Sequence, residues 1–273
     1  MNARERKFVA TVQQYFVAHG RHTLPWRKTH NPYRILVSEI MLQQTQVERV
    51  VPKYQHFLKL FPTVQALAVA SLGEVLSAWQ GLGYNRRAKM LHQCAQLIVA
   101  DLQGKWPTTH EGLLALPGIG PYTASAVLAF AYNIPTPLIE TNVRTVYIHH
   151  FFSNETAVPD SALLPIIMRT VDTENPRTWY AALMDYGSHL KATVGNKSRA
   201  STGHTKQSTF AGSDRQIRGA IIRHLVAVAT AETEQKMQQA LPQFAVIRIR
   251  TQLQRLEAEG LVVGKRGRYQ LPV

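Results

Sequence analysis

Apolar positions recur every three or four residues along most of this chain, and the runs between breakers are of helix length. Phe8, Val9, Val12, Tyr15 and Phe16 fall on one side of a segment at 2–18 that Gly20 ends. Leu24-Pro25-Trp26-Arg27 is expected to be extended, because Pro25 restricts the residue before it. Pro32 opens a run in which Ile35, Leu36, Ile40, Met41 and Val47 keep helical spacing around Glu39, one carboxylate in an otherwise apolar stretch. The cluster Gln43, Gln44, Thr45, Gln46 then interrupts the stripe with amide side chains. Further helices are expected at 50–60, stopped by Phe61-Pro62, at 67–79, ended by Gly81-Leu82-Gly83-Tyr84, and at 86–102. Beyond the turn Leu116-Pro117-Gly118-Ile119-Gly120-Pro121, helices follow from Ile139-Glu140-Thr141-Asn142, at 161–171 and at 178–187.

The pattern changes at 188–213, where Lys191, Lys197, Arg199 and Lys206 lie among Gly, Ser, Thr and His with no acidic residue before Asp214. Such a stretch reads as a linker or as an arm that contacts a nucleic-acid backbone. It separates a helical body at 1–190 from a module at 214–273, with 191–213 between them. In that module, helices at 214–230, 232–241 and 246–259 precede a β-hairpin with a basic tip at 260–270. Three helices and a hairpin predict a winged helix-turn-helix, with Arg248, Arg250, Gln252 and Arg255 as its groove-facing set. A winged helix used for protein contacts is the alternative.

Composition narrows the function. With 45% apolar and 18% charged residues over 273 positions, the chain can bury one large core or two ordinary ones. Its 31 Lys and Arg against 17 Asp and Glu leave a net charge of +14, and a polyanion is the commonest partner of such a surface. Nucleic acid leads; a basic membrane-surface protein would show a basic amphipathic helix, and none is apparent. No apolar run reaches membrane-spanning length, and residues 1–20 carry mixed charge rather than the pattern of a signal peptide, so a cytoplasmic, nucleoid-associated monomer is expected. The single cysteine, Cys94, rules out an internal disulfide and any cluster needing four thiolates from this chain. No metal or other cofactor is expected.

Two local motifs carry candidate chemistry. Gly118 and Gly120 flank one apolar residue between two helices, where exposed N–H groups and the dipole of the second helix can hold a phosphate. A tight turn without a ligand has the same glycines. Glu140, near a helix start, has a plain role in offsetting the helix dipole.

Taken together and in order, the Leu24–Arg27, Ser38–Val47, Gly81–Tyr84, Leu116–Ala124 and Glu140–Val143 motifs resemble the helix-hairpin-helix DNA glycosylases, most closely their MutY branch, over residues 5–190. The resemblance implies a mainly α, two-lobed helix-hairpin-helix fold with the winged helix appended. It implies base excision repair: a base is flipped out of mismatched or damaged duplex DNA and its N-glycosidic bond hydrolysed, with adenine the expected base. Glu39 then matches the catalytic glutamate, Gln44 the residue that fills the gap left by the flipped base, and Tyr84 the tyrosine beside the opposite base. Glu140, Tyr122 and Asn142 complete the catalytic set. Arg27, Gln43, Leu82, Gly118 and Gly120, with Lys191, Lys197, Arg199 and Lys206, are expected to contact DNA. Tyr122 stands where bifunctional relatives carry a nucleophilic lysine, so a monofunctional enzyme is expected.

The sequence departs from that branch at three points. Glu140 replaces the usual aspartate, the four cluster cysteines after Met184-Asp185-Tyr186-Gly187 are absent, and a winged-helix pattern replaces the Nudix-like domain that reads 8-oxoguanine. Removal of thymine or uracil opposite guanine is therefore the alternative activity, and a non-catalytic winged-helix DNA-binding regulator the alternative class.

Overall fold

A computed structural model gives the fold and describes residues 1–204 and 209–273. In chain order it contains α1 (Ala3–His19), a 3₁₀ turn at Pro25–Lys28, α2 (Pro32–Leu42), α3 (Val47–Leu60), α4 (Val64–Val69), α5 (Leu72–Ala78), α6 (Arg86–Ala100), α7 (His110–Leu114), α8 (Pro121–Tyr132), α9 (Thr141–Phe151), α10 (Asp160–Thr170) and α11 (Pro176–Thr193). A second 3₁₀ turn, Lys197–Ala200, precedes α12 (Asp214–Val228), β1 (Glu232–Thr233), α13 (Glu234–Ala240), α14 (Val246–Ala258), β2 (Val263–Lys265) and β3 (Arg268–Gln270). The chain is mainly helical, as its periodicity predicts.

Three local expectations are corrected. Leu24 alone is extended, and Pro25, which lacks an N–H, begins the 3₁₀ turn where no intrahelical donor is needed. The segment 67–79 is two helices, because Ser71 and Glu74 form a reciprocal capping box that starts α5. Glu232 and Thr233 leave the expected helix to pair with Tyr269 and Arg268, and the Thr233 hydroxyl caps α13 instead.

The chain forms two compact units, 1–39 with 107–115 and 119–206, and 40–106 with 116–118 and 207–273. The first unit's core joins Phe8 and Val12 of α1 to Tyr147 of α9 and to Trp179, Tyr180 and Leu183 of α11. Phe8 meets Tyr147 at 5.0 Å and Trp179 edge-on at 5.9 Å between ring centres. Asp185 of α11 is buried and carries a charge, so it needs partners. Arg27 forks onto its two oxygens at 2.6 and 2.8 Å, and Arg21 adds a guanidinium contact at 2.6 Å and its backbone N–H at 2.8 Å.

Much of the stretch expected to be a linker or arm is ordered in this unit. The α11 helix runs on to Thr193, and the Asn196 side chain accepts from the Ser198 backbone at 3.1 Å and from Thr145 at 3.4 Å. Val158 donates to the Ala200 carbonyl at 2.8 Å and accepts from Thr202 at 3.1 Å. The small polar residues that suggest a loop thus satisfy one another's backbones. Lys206 lies outside the described residues.

The second unit buries Val50, Tyr54 and Phe57 of α3 with Leu67, Leu76, Trp79, Leu91 and Ile98. In its 207–273 segment Ile217, Ile221 and Leu225 of α12 and Ile249, Leu253 and Leu256 of α14 are buried beside a three-stranded antiparallel sheet of order β1-β3-β2. The Gly73 amide donates to the Pro272 carbonyl at 2.9 Å, tying this segment to α5. The residues expected to face a groove are otherwise engaged. Arg248 and Arg255 pair with Asp214 at 2.6 and 3.1 Å, Arg250 donates to Glu234 at 2.9 Å, and Gln252 is buried.

Asp185→Ala should destabilise the protein by about 3–5 kcal/mol, since it strands Arg27 without its counter-charge. Although burial alone raises the Asp185 carboxyl, the two arginines and the Arg21 amide hold it below its ordinary 3.8. This contribution to stability is present above that ordinary value and disappears as pH falls through the lower folded one. Urea titrations of both proteins at pH 7 check the first point; a difference under about 1 kcal/mol would contradict it.

Candidate active site

The α2 helix is buried nearly all round: Tyr33, Ile35, Leu36, Val37, Ile40 and Met41 are each at most 3% exposed. Glu39 sits among them at 6% exposure, and Tyr122, in the first turn of α8, donates its hydroxyl to the carboxylate at 2.7 Å. Burial lifts the Glu39 carboxyl from its ordinary 4.5 to about 7, against the Tyr122 hydrogen bond and the Arg27 charge, while the Glu140 charge adds to the rise.

Glu140 is the N-cap of α9, and the carboxylate takes over donors that the helix start leaves unsatisfied. It accepts from the Asn142 amide at 2.5 Å, the Val143 amide at 2.9 Å and the Asn142 side chain at 3.2 Å. Burial pushes this carboxyl up as well, while the Lys191 ammonium and those two backbone amides pull it down. The net direction is upward, and among the described residues Glu140, not Glu39, has N–H donors aimed at it, which favour its charged form. The Asn142 side chain also approaches the Met184 sulfur at 3.7 Å.

Gly187 of α11 makes this arrangement possible. A Cβ there would lie 2.6 Å from both the Cβ and the carbonyl oxygen of Asn142, so only glycine lets α11 pass the start of α9 at this distance.

The second unit assembles other expected residues around a side chain absent from the expected set, Arg87. Its guanidinium donates to the carbonyls of Ile40 and Gln43 at 2.6 Å each, of Leu82 at 3.1 Å and of Gly83 at 3.2 Å, joining the end of α2 to the 81–84 turn. Burial lowers its pKa to about 10. Its place in the first turn of α6, where a helix dipole disfavours a cation, is the signal in the sequence that it is used elsewhere. Gln44 and Tyr84 hold left-handed φ values of 54° and 49°, a cost of about 1–3 kcal/mol each for non-glycine residues. Gly118 is left-handed too, at 75°, and a Cβ there would meet that of Met90 at 2.5 Å. Gly120 caps α8 with open space around its Cα.

Several expected DNA contacts have different surroundings. Arg27 is committed to Asp185, Leu82 is buried with its backbone N–H on the Trp79 carbonyl and its carbonyl on Arg87, and Lys191 sits close enough to Glu140 to act on its charge. Arg199 is exposed, Lys197 half-buried, Gln43 half-buried and Gln44 exposed.

Residues 37–163 match the HhH-GPD superfamily of base excision DNA repair proteins. An adenine DNA glycosylase of Mycolicibacterium smegmatis is 38% identical over 222 residues, covering 75% of each chain. The chain belongs to this superfamily of DNA repair glycosylases. A second adenine DNA glycosylase, from Buchnera aphidicola, is 34% identical over 66% of this chain, which spans 52% of that relative's length. A solved thermostable thymine-DNA glycosylase matches 71% of this chain and 90% of its own at a TM-score of 0.62 and 26% identity. An endonuclease III chain solved on DNA shares the fold at a TM-score of 0.59 and 18% identity, covering 71% of this chain and 90% of that one.

As a helix-hairpin-helix glycosylase this chain acts on DNA. The iron–sulfur cluster of the MutY branch has no ligand set in it: Cys94 is the chain's one cysteine, buried in α6 with its thiol pushed up to about 12 by burial. Among the described residues no group of three or more His, Cys, Asp or Glu could hold a metal ion, and no helix is long and apolar enough to cross a membrane.

Gly187→Ala should displace the start of α9 and with it Glu140. A shift of about 1 Å at a reacting group costs on the order of a hundredfold in rate. Single-turnover base release should fall by that order while the far-ultraviolet circular dichroism stays helical; unchanged release would contradict the role given to this contact.

Proposed function

We propose that this glycosylase removes adenine from mismatched duplex DNA by hydrolysing the N-glycosidic bond. The observation that carries the reading is the buried, Tyr122-bonded Glu39, whose raised pKa leaves a large protonated fraction at neutral pH, paired with Glu140 at the start of α9. The two adenine-glycosylase relatives support the choice of base.

The chemistry follows from the two protonation states. Glu39 donates its proton to a ring nitrogen of the leaving base as the bond from that base to the sugar C1′ breaks. Glu140, anionic, faces the positive charge that builds on the sugar. Water then supplies hydroxide to C1′, and its remaining proton returns to Glu39, so the cycle closes without a cofactor. Tyr122 fixes the orientation of the acid, and Asn142 that of the anion. Tyr122 has no amine to form a Schiff base, which fits a monofunctional enzyme.

Glu140 reaches one methylene farther than aspartate, and its two backbone contacts at the α9 cap absorb that length. The likeness to a thymine-DNA glycosylase favours the second reading, thymine or uracil opposite guanine. For the 214–273 segment we propose a winged helix, supported by its helix order and its three-stranded sheet.

Duplexes carrying each mismatch, incubated with the enzyme and then cleaved with alkali, separate the two readings. Adenine release without thymine or uracil release is expected, and the reverse pattern would overturn the choice of base. Glu39→Gln should lower release by about 10²–10⁴-fold while leaving duplex affinity within a few-fold, because it removes a proton donor and no DNA contact. Undiminished release would remove Glu39 from the mechanism.

A further inference from the structure

The anionic role given to Glu140 has to be held against burial, which pushes its carboxyl above the ordinary 4.5 even with the Asn142 and Val143 amides on it. The elements packed around it bring four ionisable side chains to bear: Glu39 of α2, Tyr122 of α8, Arg144 of α9 and Lys191 of α11. Burial and both carboxyls push the Tyr122 hydroxyl well up, so it is neutral, and a protonated Glu39 carries no charge either. Arg144 is spent on Asp160, which it grips through two nitrogens at 2.8 and 2.6 Å. Lys191 differs: the charge that acts on it is that of Glu140 itself.

The spacing along α11 puts Lys191 where this can happen. Met184, Gly187 and Lys191 lie three and four residues apart, so they share one face of the helix. The Asn142 side chain approaches the Met184 sulfur at 3.7 Å, and Gly187 abuts Asn142, so that face looks onto the start of α9. Helical side chains lean back over the preceding turn, which carries the half-buried Lys191 stem toward Gly187 and the α9 cap. Lys191 also stands in the last turn of α11, where the helix dipole favours a cation.

We propose that Lys191 is a positioning residue for the excision reaction: from the last turn of α11 its ammonium holds Glu140 in the ionised form that faces the sugar. It then serves the chemistry through Glu140 and is not a DNA contact. This deepens the excision reading above and rests on it.

The test uses the full chain, with single-turnover base release measured across about pH 5–8. The acid limb of the profile follows ionisation of Glu140, and the alkaline limb follows loss of the Glu39 proton, near 7. Lys191→Met should move the acid limb to higher pH, lowering release about tenfold at its acid end, and leave the alkaline limb in place. Lys191→Arg, which keeps the charge, should return the acid limb to its wild-type position. Affinity of both variants for an uncleavable duplex should stay within about twofold of wild type, with the same salt dependence, whereas a phosphate contact would lose both. An acid limb unmoved by Lys191→Met, an equal move in Lys191→Arg, or a loss of release that is the same at every pH overturns the proposal. A carboxyl-carbon NMR titration without DNA reads the same contact independently of activity, and the Glu140 midpoint should rise in Lys191→Met. If it rises while no duplex loses a base, the excision reading fails and the placement of Lys191 stands; if bases are released and the midpoint does not move, the placement fails and the reading stands.

Discussion

A carboxyl group taken out of water is the constraint on which this molecule turns. Glu39 occupies a helix whose neighbouring positions are buried, so its neutral form is favoured, and lifting its carboxyl from 4.5 to about 7 corresponds to about 3 kcal/mol of preference for the proton. That preference comes from the apolar run of α2 and from the Glu140 charge at the α9 cap, while the Tyr122 hydrogen bond opposes it and fixes the position of the carboxyl.

Other buried charges hold the parts in place. Asp185 gathers Arg21 and Arg27 and so fixes the 3₁₀ turn against α11, the helix whose Gly187 abuts Asn142. Arg87 does the equivalent work in the second unit, where its donors converge on backbone carbonyls from two loops that carry left-handed residues. Removing such a centre leaves buried polar groups unmatched, which is why its effect should exceed that of any exposed ion pair in the 207–273 segment.

What was legible in the sequence followed from local patterning. The helical periodicity, the lone Glu39, the Gly-X-Gly turn and the cap position of Glu140 are all properties of a few consecutive residues. The interleaving of the two units was not legible, because 40–106 shares a unit with 207–273 through contacts distant in sequence. Arg27 and Lys191 read as DNA contacts because a cation shows no partner until the fold brings Asp185 or Glu140 beside it. The stretch after 190 read as loose because Asn, Ser and Thr suit loops and capped turns equally; only the Val158 and Thr145 contacts distinguish them. The strand at Glu232–Thr233 was hidden by its length of two residues.

The most direct measurement is a carboxyl-carbon NMR titration of the protein with labelled glutamate, the two sites assigned by Glu39→Gln and Glu140→Gln. Glu39 should titrate with a midpoint near 7, above that of Glu140, and Tyr122→Phe should move the Glu39 midpoint higher by removing a bond that favours the anion. A Glu39 midpoint near 4.5, or a Glu140 midpoint above that of Glu39, would contradict the division of roles between the two carboxyls.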